Sequence, residues 1–131
     1  MTDGTGVLGH LGYPSPKWNG IWKQYSPDKV ELYFEWTRRM LENKELEPKV
    51  RELIIVAIDA VIAWPSPFID IHINEAFREG ATIQELVETM ETVGYLMGPH
   101  ALNHGFTSLE AVIEARKADG LPVPRSREQA S

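Results

Sequence analysis

The chain contains no cysteine in its 131 residues. Without thiols, it forms no disulfide bonds, holds no metal ion through thiolates and carries out no thiol-based redox chemistry. Any catalytic chemistry must therefore use other side chains, of which histidines and carboxylates are the candidates pursued below.

The sequence also lacks the features of proteins that bind nucleic acids or enter membranes. Its net charge is −6, whereas nucleic acids and anionic membranes both favour clustered Lys and Arg. The longest apolar run, residues 53–63, is interrupted by Asp59 and is too short to span a bilayer. The N-terminus has no basic segment followed by an apolar one, as a signal peptide would. We therefore expect a cytoplasmic protein that binds neither nucleic acids nor membranes.

The composition is that of one globular domain, with 43% hydrophobic and 24% charged residues. We expect an irregular N-terminal arm at residues 1–25, a helical domain at residues 26–120 and a loose C-terminal tail at residues 121–131. The arm is rich in Gly, Pro and aromatic residues. It could fold on its own domain or cover apolar surface of a neighbouring subunit.

Hydrophobic spacing and helix-end signals predict an all-α fold. Five helices are expected, over residues 27–44, from 48 to a break at 65–67, and over 67–79, 82–97 and 100–118. The second is apolar on every side, which predicts a helix buried all round. The fourth opens with the capping box Thr82-Ile83-Gln84-Glu85, and the third ends at Gly80.

His72 is predicted to lie on the buried face of the third helix, because Phe68 and Ala76 are four residues away on either side. Partial burial would lower the pKa of the imidazole and leave it neutral and able to accept a proton. The alternative is a core histidine that is hydrogen-bonded to a backbone carbonyl.

Asp59 stands inside an otherwise apolar helix, seven residues after Glu52 and on nearly the same face. A buried carboxylate needs a partner, so we expect a salt bridge to an arginine such as Arg38 or Arg51. A catalytic role for Asp59 is the less favoured alternative. Glu52 could also be an exposed residue near the start of its helix.

His100 and His104 are four residues apart, which suits two imidazoles on one divalent transition metal ion. His72 could supply a third ligand if the helices pack suitably. The sequence has no HExxH motif, so a metalloprotease site of that type is excluded. The alternative is a pair of structural or solvent-exposed histidines.

Residues 49–90 resemble the carboxymuconolactone decarboxylase family, whose superfamily includes the AhpD-like alkylhydroperoxidases. Three elements carry the resemblance: Lys49-Val50-Arg51-Glu52-Leu53-Ile54 at the start of a buried helix, His72 followed by a small-residue helix, and Gly80-Ala81-Thr82 with the capping box. The resemblance implies an AhpD-like bundle of about five to six helices. It also implies a homo-oligomer, either a trimer or a hexamer.

The resemblance assigns His72 to the family's histidine and Glu52 to the glutamate that AhpD-like members use in proton relay. AhpD-like peroxidases carry CxxC ahead of this histidine, but here Trp64-Pro65-Ser66-Pro67-Phe68 takes its place. The segment from Glu52 to His72 is also about one residue longer than is usual in the family. Without a thiolate, thiol peroxidase activity is not expected, and the chain is more similar to the decarboxylase branch.

The favoured hypothesis is a carboxymuconolactone decarboxylase-like lyase that acts on a small organic acid or lactone by proton transfer. His72 would be the acid, Glu52 its orienting or relay partner, and His100 or His104 would hold the substrate carboxylate or carbonyl. Three aromatic side chains would form the walls of a pocket that excludes water: Trp64, Tyr95 and Phe106. No cofactor is expected for this reaction.

Two other hypotheses belong to different classes. The first is a metal-dependent enzyme with His72, His100 and His104 as ligands and an open coordination position for water or substrate. The second is a non-catalytic oligomeric protein that kept the fold after losing the cysteines.

Overall fold

The computed structural model describes residues 20–42, 44–66 and 68–130. All regular secondary structure in these ranges is helical, which confirms the predicted all-α fold and agrees with an AhpD-like bundle. The helices are α1 Ile21–Tyr25, α2 Pro27–Met40, α3 Pro48–Val61, α4 Phe68–Arg78, α5 Ile83–Met97, α6 Pro99–Ala118 and α7 Arg127–Ala130. None of these described helices combines the length and the apolar character needed to cross a membrane.

The described residues divide into two compact units, one before residue 48 and the other from residue 48 onward. The first unit contains α1 and α2, and the second contains α3 to α7. The predicted domain boundaries after residues 25 and 120 do not coincide with this division and stay predictions. All residues of the candidate site described below belong to the second unit.

Helix-end signals in the sequence act where they were predicted. The Glu85 N–H donates to the Thr82 hydroxyl at 3.0 Å, and the Thr82 N–H donates to the Glu85 carboxylate at 3.0 Å. Two N–H groups at the start of α5 are thereby satisfied. Gly80, which follows α4, has a φ of 96°, a left-handed conformation that favours glycine.

The segment predicted as an irregular arm contains helix α1. Its Trp22 ring packs on Tyr33 of α2, with ring centroids 5.4 Å apart. Trp18, another aromatic residue of the predicted arm, lies outside the described residues.

The core of the second unit lies between α3, α4, α5 and α6. Its largest fully buried apolar side chains are Val56, Ile69, Ile73, Leu86, Met90 and Val112. Helices α5 and α6 approach closely at Gly105, where an added Cβ would overlap the Met90 sulfur. Glycine is therefore required at this position for the observed packing.

Helix α3 is not buried all round, contrary to the prediction. Val56 and Ala60 are fully buried, but Ile54 is 46% exposed and Ile58 is 54% exposed. Helices α4, α5 and α6 of the same chain pack on α3 and leave one apolar face of it uncovered. Apolar residues on every side of a helix do not reveal whether the same chain covers all of them.

The start of the C-terminal tail is fixed, which corrects the prediction of a loose segment at residues 121–131. The Ile83 N–H donates to the Pro124 carbonyl at 2.8 Å, and the Gln84 N–H donates to the Arg125 carbonyl at 3.0 Å. Both donors belong to the first turn of α5, where backbone N–H groups have no partner within the helix. The tail therefore completes the hydrogen bonding of the α5 N-terminus.

Candidate active site

A carboxylate of α3 meets an imidazole of α4 where the two helices pack together. Glu52 Oε2 lies 3.3 Å from His72 Nδ1. A carboxylate can only accept a hydrogen bond, so Nδ1 carries the proton. The distance of 3.3 Å is somewhat longer than the usual value of about 2.9–3.0 Å.

The His72 ring remains accessible although its carboxylate partner is mostly covered. The side chain of His72 is 37% exposed and that of Glu52 is 17% exposed. Because Nδ1 donates to Glu52, Nε2 is the ring nitrogen left for a ligand. The ring can therefore exchange a proton at Nε2 while Glu52 fixes its orientation.

The salt bridge expected between Asp59 and an arginine stays a prediction. Arg38, which belongs to the other compact unit, pairs with Glu35 and Glu42 of its own helix, at 2.7 Å and 3.4 Å. Three- and four-residue spacings bring these charges together on one helix face.

The charges of Glu52 and His72 act on the Asp59 carboxyl. Asp59 is 8% exposed, and its Oδ2 atom has no hydrogen-bond partner among the described residues. Burial raises the pKa of the Asp59 carboxyl; the His72 charge opposes this rise and the Glu52 charge adds to it. The charges of Glu52 and His72 on α3 and α4 therefore both act on the Asp59 carboxyl.

The pKa of His72 is raised above its ordinary value of 6.5, which corrects the prediction of a lowered pKa. Burial by itself lowers it, as predicted. The hydrogen bond to Glu52 and the negative charges of Asp59, Glu52 and Glu75 outweigh burial and favour the charged imidazole. The surroundings of His72 therefore favour the protonated imidazole, which is the form that can donate a proton.

Glu75 is a contributor that the sequence analysis missed. It follows His72 by three residues on α4, and its Oε1 accepts a hydrogen bond from Arg78 Nη1 at 2.7 Å. The three-residue spacing, which places side chains on one helix face, is the signal that could have found it.

A second buried polar contact, also missed, joins α4 to α6. Arg116 is 3% exposed, and its Nη1 donates to Asn74 Oδ1 at 2.6 Å. Its guanidinium lies over the Phe77 ring, 5.3 Å from the centroid, and its Nε donates to the Pro122 carbonyl at 3.1 Å. These contacts hold the part of α4 that follows His72 against α6 and the tail.

Two of the predicted substrate-binding residues are linked to the His72 face of α4. His104 Nε2 lies 2.7 Å from the Trp64 carbonyl oxygen, so Nε2 donates and carries a proton. The Trp64 ring packs on Phe68, with centroids 5.5 Å apart. Phe68 is one helical turn before His72 and therefore shares its face.

The other three predicted residues have no comparable link. Tyr95 is 87% exposed, His100 is exposed near the start of α6, and Phe106 is half-buried against the core. Within the described chain, none of them makes a hydrogen bond or ring contact with His72 or Glu52. Their proposed roles stay predictions.

The described residues contain no group of three or more His, Cys, Asp or Glu side chains arranged to hold a metal ion. His72, His100 and His104 are therefore not brought together as a ligand set in this part of the chain. The metal-dependent hypothesis receives no support from their placement.

Comparison with known proteins places this site within a family. Residues 27–111 match the model of the carboxymuconolactone decarboxylase family, a range that contains Glu52, Asp59 and His72. Neither the curated proteins nor the solved structures gave a significant match. Because the family match covers more than half of the 131 residues, the chain belongs to the carboxymuconolactone decarboxylase family.

Proposed function

We propose that the chain is a carboxymuconolactone decarboxylase-like lyase that acts on a small organic acid or lactone by proton transfer through His72. The observation that carries this proposal is the 3.3 Å contact between Glu52 Oε2 and His72 Nδ1 on a ring that remains partly exposed. The raised pKa of His72 supports the role of proton donor.

The proposed reaction follows from the proton that His72 holds. When an unsaturated lactone acid loses CO₂, the bond to the carboxylate breaks and its electron pair stays on the carbon skeleton. The Nε2 proton of His72 then adds to that carbon, while Glu52 accepts the Nδ1–H bond and stabilises the imidazolium until the transfer. General acid catalysis of this kind typically contributes about 10²–10⁴-fold in rate. Solvent restores the proton through the exposed edge of the ring.

We propose Trp64 and His104 as part of the substrate pocket, because their contacts reach Phe68 on the His72 face of α4. Since Nε2 of His104 donates to the Trp64 carbonyl, His104 would act mainly by holding Trp64 in place. Tyr95, His100 and Phe106 complete the proposed pocket without such a link. The proposed step needs no cofactor.

The test is replacement of His72 by Ala, with CO₂ release from a panel of small unsaturated lactone acids as the readout. We expect turnover to fall at least about 100-fold, while helicity by circular dichroism stays unchanged. Glu110→Gln, a neutral substitution at an exposed position of α6, is the matched control and should keep full activity. Full activity of His72→Ala would refute the proposal. A wild-type chain inactive on the whole panel would favour the non-catalytic alternative.

We also propose that the chain forms a homo-oligomer, a trimer or a hexamer, through the uncovered apolar face of α3 and α5. A groove between these helices is lined by Ala57, Ile58, Val61, Thr92, Val93, Leu96 and Met97. A second groove continues it along the same helices and shares Ala57 and Thr92. Contiguous apolar surface of this kind is typical of interaction sites. Light scattering coupled to size exclusion should give three or six times the chain mass, and a monomer would contradict the proposal.

A further inference from the structure

Asp59 is a buried carboxylate that no hydrogen bond fully satisfies. Its Oδ2 is inaccessible to solvent and has no partner among the described residues, and the side chain belongs to an otherwise apolar stretch of α3. Leaving a buried carboxylate in this state is unfavourable for folding. Such groups are commonly retained where their charge acts on a functional neighbour.

The neighbour here is the His72 and Glu52 pair. Asp59 follows Glu52 by seven residues, two turns of α3, so both carboxylates lie on nearly the same face. Helix α3 packs on α4, and the charges of Asp59, Glu52 and His72 act on one another. Because Asp59 is buried, its charge is screened less by water than that of an exposed carboxylate.

We propose that Asp59 is a positioning residue of the His72 site, whose buried negative charge, together with Glu52, keeps the imidazole protonated and sets the pH range in which it donates its proton. The inference rests on the proposed function of His72 as the proton donor. Asp59 would act through the imidazole and would not touch the substrate, since the residue is only 8% exposed.

The other charged groups around His72 do not replace Asp59 in this role. Glu75 on α4 also acts on the imidazole, but its charge is largely compensated by the ion pair with Arg78. Asp70, also on α4, is buried; its Oδ2 accepts a hydrogen bond from Ser66 Oγ at 2.6 Å, and its Oδ1 has no partner among the described residues. From α6, which also packs on α4, the buried charge is Arg116, held by Asn74. Glu52 contacts the ring, and Asp59 lies two turns later on nearly the same face of α3.

The test is an NMR pH titration of the His72 ring in the full chain and in Asp59→Asn. Removing the Asp59 charge should move the His72 midpoint to lower pH, and the alkaline limit of activity should move down with it. The matched control is Glu110→Gln, which neutralises an exposed carboxylate on α6 of the same unit and should leave the His72 midpoint unchanged. If Asp59 had only a structural role, Asp59→Asn would change the stability of the fold but would not move the His72 midpoint.

An unchanged or higher His72 midpoint in folded Asp59→Asn would overturn the inference. If that variant does not fold, the ¹³C carboxyl signal of Asp59 in the unmodified chain decides. This signal should show a second inflection at the pH where His72 titrates, and its absence would equally overturn the inference. Neither of these two NMR measurements uses turnover. An active His72→Ala variant would therefore refute the proposed function alone. An unmoved His72 midpoint together with an inactive His72→Ala variant would refute only the role of Asp59.

Discussion

The two faces of α3 reverse the usual distribution of polar and apolar residues. The face toward α4 carries Glu52 and Asp59, both largely covered. The opposite face carries Ile54 and Ile58, about half exposed. In a monomeric globular protein, the isoleucines would ordinarily be buried and the carboxylates exposed. Both departures reduce the stability of the isolated chain; the proposed proton-transfer site would account for the covered carboxylates and the proposed oligomer for the exposed isoleucines.

The properties of the two faces of α3 can be tested by separate mutations. A substitution on the acidic face should affect the proton-transfer site and leave assembly intact. A substitution on the apolar face should affect assembly first. Four predictions follow from this separation.

The largest effect is expected from Glu52→Gln on the acidic face. The variant loses the negative charge that orients His72 and stabilises its protonated form, so turnover should fall about 100-fold. The His72 midpoint in an NMR titration should also move to lower pH, while the oligomer persists in size exclusion. Retained activity together with a lowered midpoint would separate ring protonation from catalysis and contradict the proposed role.

On the apolar face, Ile58→Lys should disrupt assembly. A lysine in the centre of an apolar interface would bury an unpaired ammonium group, which costs several kcal/mol per interface. Light scattering should then give the mass of a single chain at micromolar concentration. Thr107→Lys adds the same charge at an exposed position of α6 and should leave the oligomer intact. An intact oligomer in Ile58→Lys would show that the interface does not include this face of α3.

A smaller effect, of opposite sign, is expected when the acidic face is made apolar. Asp59→Leu removes a buried carboxylate whose Oδ2 has no partner in the described chain, so the free energy of unfolding should rise by about 1 kcal/mol. Thermal or urea unfolding measures this change. The gain should coincide with a lower His72 midpoint, since the negative charge is also lost. A destabilised Asp59→Leu would instead indicate that the carboxylate supports the fold.

The smallest effect is a pH dependence of stability that belongs to His72. Its pKa in the folded chain is raised above 6.5, so its contribution to stability is complete below pH 6.5 and is lost as the pH rises through the folded pKa. The difference in melting temperature between the unmodified chain and His72→Gln should therefore shrink on going from about pH 6 to about pH 8. Taking the difference in melting temperature removes the contributions of the other titrating groups, which both proteins share. A difference that grows with pH would contradict the raised pKa of His72.

The sequence predicted the features that depend on neighbouring residues in the chain. The capping box at Thr82 and Glu85 is local, and it is formed as expected. Glu52 and His72 are separated by twenty residues and a helix break. Their proximity was therefore implied by the family resemblance and not by local sequence. Spacing alone could not have placed them together.

The features that the sequence did not predict depend on packing between elements. The direction of the His72 pKa follows from carboxylates on two helices, whereas the sequence revealed only the burial of the ring. The exposed face of α3 follows from which sides the neighbouring helices cover. The fixed tail follows from backbone hydrogen bonds, which residue type does not reveal.

The hydrogen bonds from the start of α5 to the tail have a consequence for the distant end of the chain. Glu85 in that first turn also forms an ion pair with Lys49, with Nζ and Oε2 3.1 Å apart, and Lys49 is one turn before Glu52. Shortening the chain before residue 124 would leave the N–H groups of Ile83 and Gln84 without partners. It would thereby weaken the first turn of α5, to which Lys49 of α3 is paired. Affinity tags and fusion partners at this end therefore belong beyond Arg125, so that the position of Glu52 relative to α5 is preserved.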